Sequence, residues 1–174
     1  MRLLIASFDR QNIVSKEEVI GAVRRLPRPH YAGIRAIRYD PQRTLATAMA
    51  ALQNRPSSPH TSGFFYHEHE TGLSVIVLFR FATRQEFYHV LYHEIGHYVF
   101  LKVLLQGQRD EWFALRRHER HFVSPQARRN AREDFAETYA LSCTHPGRLA
   151  AVPRKRDFFR DKVFEGRILS DLTL

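Results

Sequence analysis

The sequence predicts an α+β fold in which a small mixed sheet packs on a central helix that carries metal ligands, with a second, glutamate-bearing helix lying across it. Three observations lead there. Residues 83 to 105 read as one helix, apolar nearly all round, and His93 and His97 stand four apart on it with Glu94 beside them. Just before it, residues 64 to 79 place aromatic and β-branched runs on either side of Thr71-Gly72, the pattern of two strands joined by a turn. Further on, residues 125 to 143 read as a helix with Glu133 and Glu137 one turn apart on one face.

The bulk properties set the frame. A chain of 174 residues, 44% apolar and with thirteen phenylalanines, is expected to form a single domain spanning residues 1 to 174. Residues 1 to 9 carry one positive charge and an apolar run broken at Asp9, too short for a secretory signal. No apolar run approaches the roughly 20 residues that a membrane span requires. Cys143 is the lone cysteine and reads as a small buried residue, so a cytoplasmic location is the default expectation. Lys plus Arg number 27 against 18 acids, a net charge of +9 carried mostly by arginine. That balance favours acidic partners or polyanions, although an arginine-rich coding bias would leave the same mark.

The elements follow in order. Ser15 to Glu18 form a capping box and Val19, Ile20, Val23 and Leu26 follow at helical spacing, so a helix is expected over residues 15 to 26, ended by Pro27 and Pro29. Residues 33 to 39 alternate apolar and basic side chains, which suits a strand with one buried face. Residues 43 to 53 read as helix and Pro56-Ser57-Ser58-Pro59 as a surface loop. Residues 64 to 66 and 73 to 79 are the paired strands, the second so continuously apolar that both of its faces should be covered. Thr83 to Glu86 is another capping box, opening the metal helix that Gly107 is expected to end. Residues 110 to 120 can form an amphipathic helix anchored by Trp112 and Phe113. Ser124-Pro125 supplies a cap and a first-turn proline for the glutamate helix, His145-Pro146-Gly147 stops it, and residues 157 to 169 read as a closing helix.

Two imidazoles on one helical face leave a tetrahedral zinc two ligands short, and a catalytic site takes one more protein ligand and one water. A metzincin would supply glycine three residues after the second histidine and histidine six after; Phe100 and Val103 stand there and exclude that class. Glu133 is the expected third ligand of Zn2+, and Glu137 is expected to bond the outer nitrogen of a ligating histidine. The plainer alternative for these acids is a solvated face beside Arg128, Arg129 and Arg132. Glu94 is the expected general base. His67 and His69, two apart, could share a face with a second metal but read rather as exposed hairpin residues, and His89, one turn before His93, could line the site mouth but reads rather as packed or solvent-facing.

The pattern His93-Glu94-x-x-His97 followed by Asn130-x-x-Glu133-x-Phe135-Ala136-Glu137 resembles the zinc peptidase domain of anthrax lethal factor and its smaller relatives, among them the clostridial Pro-Pro endopeptidases. The similarity runs from about Phe87 to about Phe164 and takes in Pro153-x-Lys155; the amino-terminal half matches by element order alone. The resemblance implies a zincin-like fold, zinc on His93, His97 and Glu133, Glu94 as general base and Glu137 behind the ligands. One position departs. The family's tyrosine seven residues before the ligand glutamate, associated with oxyanion stabilisation, is here Gln126, whose amide can donate a similar bond. Tyr139, Tyr98 and His121 are the other residues that could fill that role.

These readings lead to the expectation of a zinc endopeptidase acting on a protein or peptide, with acidic substrates favoured by charge. Val75, Val77 and Phe79 lie on the strand expected to be the sheet edge that pairs with an extended substrate. Two other readings stand beside it. One is a zinc-containing, nucleic-acid-associated binding protein that tracks phosphates with Arg116-Arg117, Arg128-Arg129 and Arg154-Lys155-Arg156. The other is a degenerate peptidase kept as an interaction module, for which Gln126 is the sequence support.

Overall fold

The computed structural model describes residues 3 to 44, 47 and 62 to 166. Its elements are β1 (Leu4–Ala6), α1 (Lys16–Arg24), β2 (Ile34–Tyr39), β3 (Gly63–His67), β4 (Ser74–Leu78), α2 (Arg84–Tyr98), α3 (Gln106–His118), α4 (Ala131–Thr144) and α5 (Pro153–Phe158). The helix expected over residues 43 to 53 lies almost wholly outside the described residues, and the loop at 56 to 59 does so entirely.

The capping box at α1 forms as expected: Ser15 Oγ accepts the Glu18 amide at 3.1 Å and the Glu18 carboxylate accepts the Ser15 amide at 2.7 Å. The strands make one mixed sheet in the order β1-β2-β4-β3. β1 and β2, and β2 and β4, pair in parallel, while β3 and β4 pair antiparallel. β4 is therefore bonded on both sides, and among the described residues β3 lies at an edge of the sheet. This corrects the expectation for Val75, Val77 and Phe79, whose strand has no unpaired backbone left for a substrate. Its side chains alternate between two apolar clusters: Ile76 and Leu78 enter the main core, and Val75, Val77 and Phe79 pack with Ala36, Phe64 and Leu73. The unbroken apolar run is the mark of a central strand, covered on both faces.

α2 is capped by Thr83, whose Oγ1 accepts the Glu86 amide at 3.1 Å, while Glu86 reaches back to the Ala82 amide at 2.6 Å. It widens into a π-turn at Val99–Val103, where the Leu104 amide bonds the Val99 carbonyl at 3.0 Å, and stops at Leu104, which is extended. Arg109 Nη1 then donates to the carbonyls of Phe100, Leu101 and Leu104 at 3.4, 3.3 and 2.8 Å, occupying acceptors that the helix end leaves free. Gly107 is thus not the helix stop but a residue inside α3.

The glutamate helix also begins later than expected. Ser124 Oγ accepts the Ala127 amide at 3.1 Å and closes a turn, and the helix starts at Ala131 with Asn130 Oδ1 accepting the Arg132 and Glu133 amides at 2.9 and 3.0 Å. The turn at residues 124 to 129 carries Gln126 toward α2. The closing helix starts at Pro153 rather than Asp157, with the proline in the first turn.

Trp112, Phe135, Tyr139, Phe159 and Phe164 form a connected aromatic core between α3, α4 and the carboxyl-terminal turns. Trp112 Nε1 donates to the Ala131 carbonyl at 2.9 Å, whereas Phe113, expected to be an anchor, is 41% exposed. Lys155 Nζ meets Asp134 Oδ1 at 2.8 Å with both side chains buried, tying α5 to the first turn of α4.

α2 and α4 approach so closely that a Cβ on Gly96 would lie 2.9 Å from the Ala136 Cα. Gly96→Ala is expected to cost roughly 1–3 kcal/mol, because the opposing atom is backbone and cannot swing aside. Urea unfolding of the two proteins measures this, and equal midpoints would show that the helices can part at no cost.

Candidate metal centre

The α2–α4 crossing brings the paired histidines of one helix against the first-turn acids of the other. His93 Nε2 and His97 Nε2 lie 3.1 Å apart. Glu133 Oε2 is 3.5 Å from the former and Glu133 Oε1 is 3.5 Å from the latter. One ligand atom from each of His93, His97 and Glu133 falls within 4.8 Å of the others, the arrangement that can hold a metal ion. Two imidazole nitrogens and one carboxylate are a donor set that divalent transition-metal ions accept. His93 Nδ1 faces Glu137 Oε1 at 2.8 Å, which turns its Nε2 toward the other two donors. Glu133 and Glu137 are therefore neither on a solvated face nor paired with the arginines beside them.

Glu94 lines the same cleft as the three ligands and packs against β3. It is buried, hydrogen-bonded to the Phe65 backbone amide, and so close to Gly63 that a Cβ there would lie 2.7 Å from Glu94 Oε1. Gly63 is the residue that lets the edge strand pass over this carboxyl group. Burial pushes the Glu94 pKa up to about 7; the His93 charge opposes the rise and the Glu133 charge adds to it.

Without metal, the remaining groups share a proton. Burial alone would lower His93, but its bonds to Glu133 and Glu137 win and raise it to about 10. His97 is lowered to about 4, first by burial and then by the charge on His93. Burial pushes the Glu133 and Glu137 carboxyls up, yet both end well below the usual carboxylate range, Glu133 through His93, His97 and Gln126 and Glu137 through His89, His93 and Ser124.

Gln126 reaches the centre: its Nε2 donates to Glu133 Oε2 at 2.7 Å and lies 3.5 Å from His93 Nε2. The other candidates for that role do not. The Tyr139 hydroxyl is buried against His30 Nδ1 at 2.8 Å, the Tyr98 hydroxyl accepts the Gly33 amide at 3.1 Å, and His121 is exposed outside the cleft lining.

No protein family, curated protein or solved structure gives a significant match to this chain. The side chains of the centre are grouped on α2 and α4.

They open into a cleft of about 840 Å³, with residues 62 to 65 on one wall and the 124 to 130 turn and start of α4 on the other. His89 takes the less favoured of its two expected places: one turn before His93, it lines this cleft and lies 3.4 Å from Glu137 Oε1. Arg129 and Arg132 also line the cleft. His67 is not simply exposed: its Nδ1 lies 3.0 Å from Ser74 Oγ and its Nε2 3.1 Å from Lys102 Nζ, and burial, then the Lys102 charge, lowers its pKa. The arginine runs expected to track phosphates are partly engaged elsewhere. Arg116 donates to the Arg128 carbonyl at 2.7 Å, Arg156 pairs with Asp157 at 3.1 Å and Lys155 is buried. Among the described residues no helix is long and apolar enough to cross a membrane.

Proposed function

We propose that this chain is a zinc-dependent endopeptidase with a zincin-like arrangement, in which His93, His97 and Glu133 hold the metal. The observation that carries the reading is the convergence of these three side chains in one cleft, with the Glu94 carboxyl in the same lining and β3, an edge strand among the described residues, along one wall. Bound there, Zn2+ would bring the pKa of its water toward neutrality and polarise the scissile carbonyl.

The chain's own residues do the rest. Glu94 takes a proton from the attacking water as the oxygen bonds to the carbonyl carbon, then delivers it to the amine nitrogen as the C–N bond breaks. Its raised affinity for a proton suits a group that must both accept and donate near neutral pH. Glu137 fixes the orientation of His93. Gln126, whose Nε2 donates to the Glu133 carboxylate, would be the donor to the developing oxyanion, a contribution worth about a hundredfold or more in rate when such a donor is well aimed. The edge of β3, in place of β4, would offer an extended peptide the backbone groups that pair with no strand among the described residues, which aligns the chain without demanding a sequence.

The test is a diverse peptide library incubated with zinc-loaded and with chelated protein, read by mass spectrometry, with bound metal counted alongside. Cuts that need the zinc are the expected result. One zinc per chain and no cut at all would replace the peptidase by a binding protein.

A further inference from the structure

The acids of the cleft are all engaged within it. Glu133 meets His93, His97 and Gln126, Glu137 meets His93 and His89, and Glu94 is buried beneath Gly63. Arg129 and Arg132 line the same cleft, are exposed, and form no ion pair with any acid among the described residues. Other arginines of this region do find acids, Arg116 beside Asp134 and Arg156 beside Asp157. The two guanidiniums also flank Asn130, the cap of α4, where the free amides and dipole of a helix make added positive charge unfavourable. The first-turn acids that could offset them are taken, Glu133 by the histidines and Asp134 by Lys155. Their position is thus a local cost with no ion pair in return.

We propose that Arg129 and Arg132 select a carboxylate-bearing peptide, so that the cleft takes chains with an aspartate or glutamate side chain, or a free C-terminal carboxylate, close to the bond held at the metal centre. This deepens the peptidase reading and rests on it for the word substrate, though not for the binding itself. A guanidinium offers a planar fork of donors that matches a carboxylate with two parallel bonds. The apolar side chains of Phe64, Phe65, Phe100 and Leu101 in the same lining keep part of the cleft wall from competing for that charge and lower the local dielectric. The net charge of +9 adds long-range attraction for acidic chains.

The experiment uses zinc-loaded protein carrying Glu94→Gln, so that peptides bind without being cut, and reads fluorescence anisotropy. Labelled peptides are matched except for glutamate against glutamine, and each is made with a free and with an amidated C-terminus. The carboxylate peptide is expected to bind roughly tenfold more tightly for each guanidinium engaged, less so at high salt. Adding Arg129→Gln and Arg132→Gln should abolish the advantage, and Arg132→Glu should turn the preference toward lysine peptides. An advantage that persists in amidated peptides assigns the carboxylate to a side chain; one confined to free acids assigns it to the C-terminus. Equal binding of all four peptides, or a preference that survives both arginine changes, overturns the proposal. The wild type tested in parallel for cleavage separates the two readings. Arginine-dependent binding with no cleavage sinks the peptidase and leaves the carboxylate site standing, while cleavage blind to carboxylates does the reverse.

Discussion

Glu94→Gln is expected to lower peptide hydrolysis by roughly a thousandfold, the middle of the range for a positioned acid–base group, while leaving bound zinc in place. The substitution keeps the shape of a buried side chain and can still accept from the Phe65 amide, but it cannot carry a proton. A pH profile adds a second readout. The Glu94 pKa, raised to about 7 in the metal-free protein, is drawn down by a cation held nearby, so the acid limb of the wild-type rate should lie below pH 7, with activity rising as the carboxyl ionises. The stability consequence has the opposite sign. A carboxyl whose folded pKa is raised from 4.5 to about 7 binds its proton more tightly folded than unfolded, so metal-free protein loses stability as pH rises through that window. The loss is at most roughly 3 kcal/mol. Glutamine removes it, so metal-free Glu94→Gln should be more stable than wild type at pH 8 and lose that lead toward pH 4. Urea titrations at the two pH values measure the difference, and full activity in the zinc-loaded variant would end the assignment.

Zinc binding to the Glu94→Gln protein at pH 6, where neither Glu94 nor a metal-bound water adds to the count, should release about one proton, and affinity should climb about tenfold per pH unit over the range in which His93 is protonated. Metal-free, His93 is raised to about 10 by Glu133 and Glu137, so at neutral pH it holds the proton that a ligand must lose. The linkage follows from each direction. The raised His93 stabilises the metal-free fold fully below its ordinary 6.5 and loses that contribution as pH rises through about 10. The depressed Glu133 and Glu137 stabilise it above their ordinary 4.5 and lose that contribution as pH falls below. Calorimetric titration of zinc in two buffers of different ionisation enthalpy counts the proton. His97, lowered to about 4, is already neutral, so His97→Ala should weaken binding by more than the roughly hundredfold typical of losing a supporting partner, yet leave the proton count near one. His93→Ala should bring the count toward zero. A count of zero with both histidines present would mean that the metal-free centre is not arranged around a charged His93.

What the sequence determined by itself is what a few consecutive residues can enforce. Ser15 and Glu18 cap α1 because their reach is one turn, and Thr83 starts α2 for the same reason. His93 and His97 share a face because an α-helix repeats every 3.6 residues, and Glu133 and Glu137 share one likewise. Even the start of α4 was within local reach, but Ser124 and Asn130 were competing caps, and Asn130, accepting two amides, prevailed. Tertiary structure decided everything that depends on partners far along the chain. β4 became central because β2 and β3 both pair with it, and that left β3 at an edge of the sheet among the described residues. Glu133 came to the histidines because Gly96 has no side chain to hold Ala136 away. Lys155 was drawn inside by Asp134 while Arg129 and Arg132 came to line the cleft. A charge run in a sequence looks the same in each case; its fate depends on which element covers it, and that is settled only when long-range packing chooses which charges meet an acid and which meet the cleft.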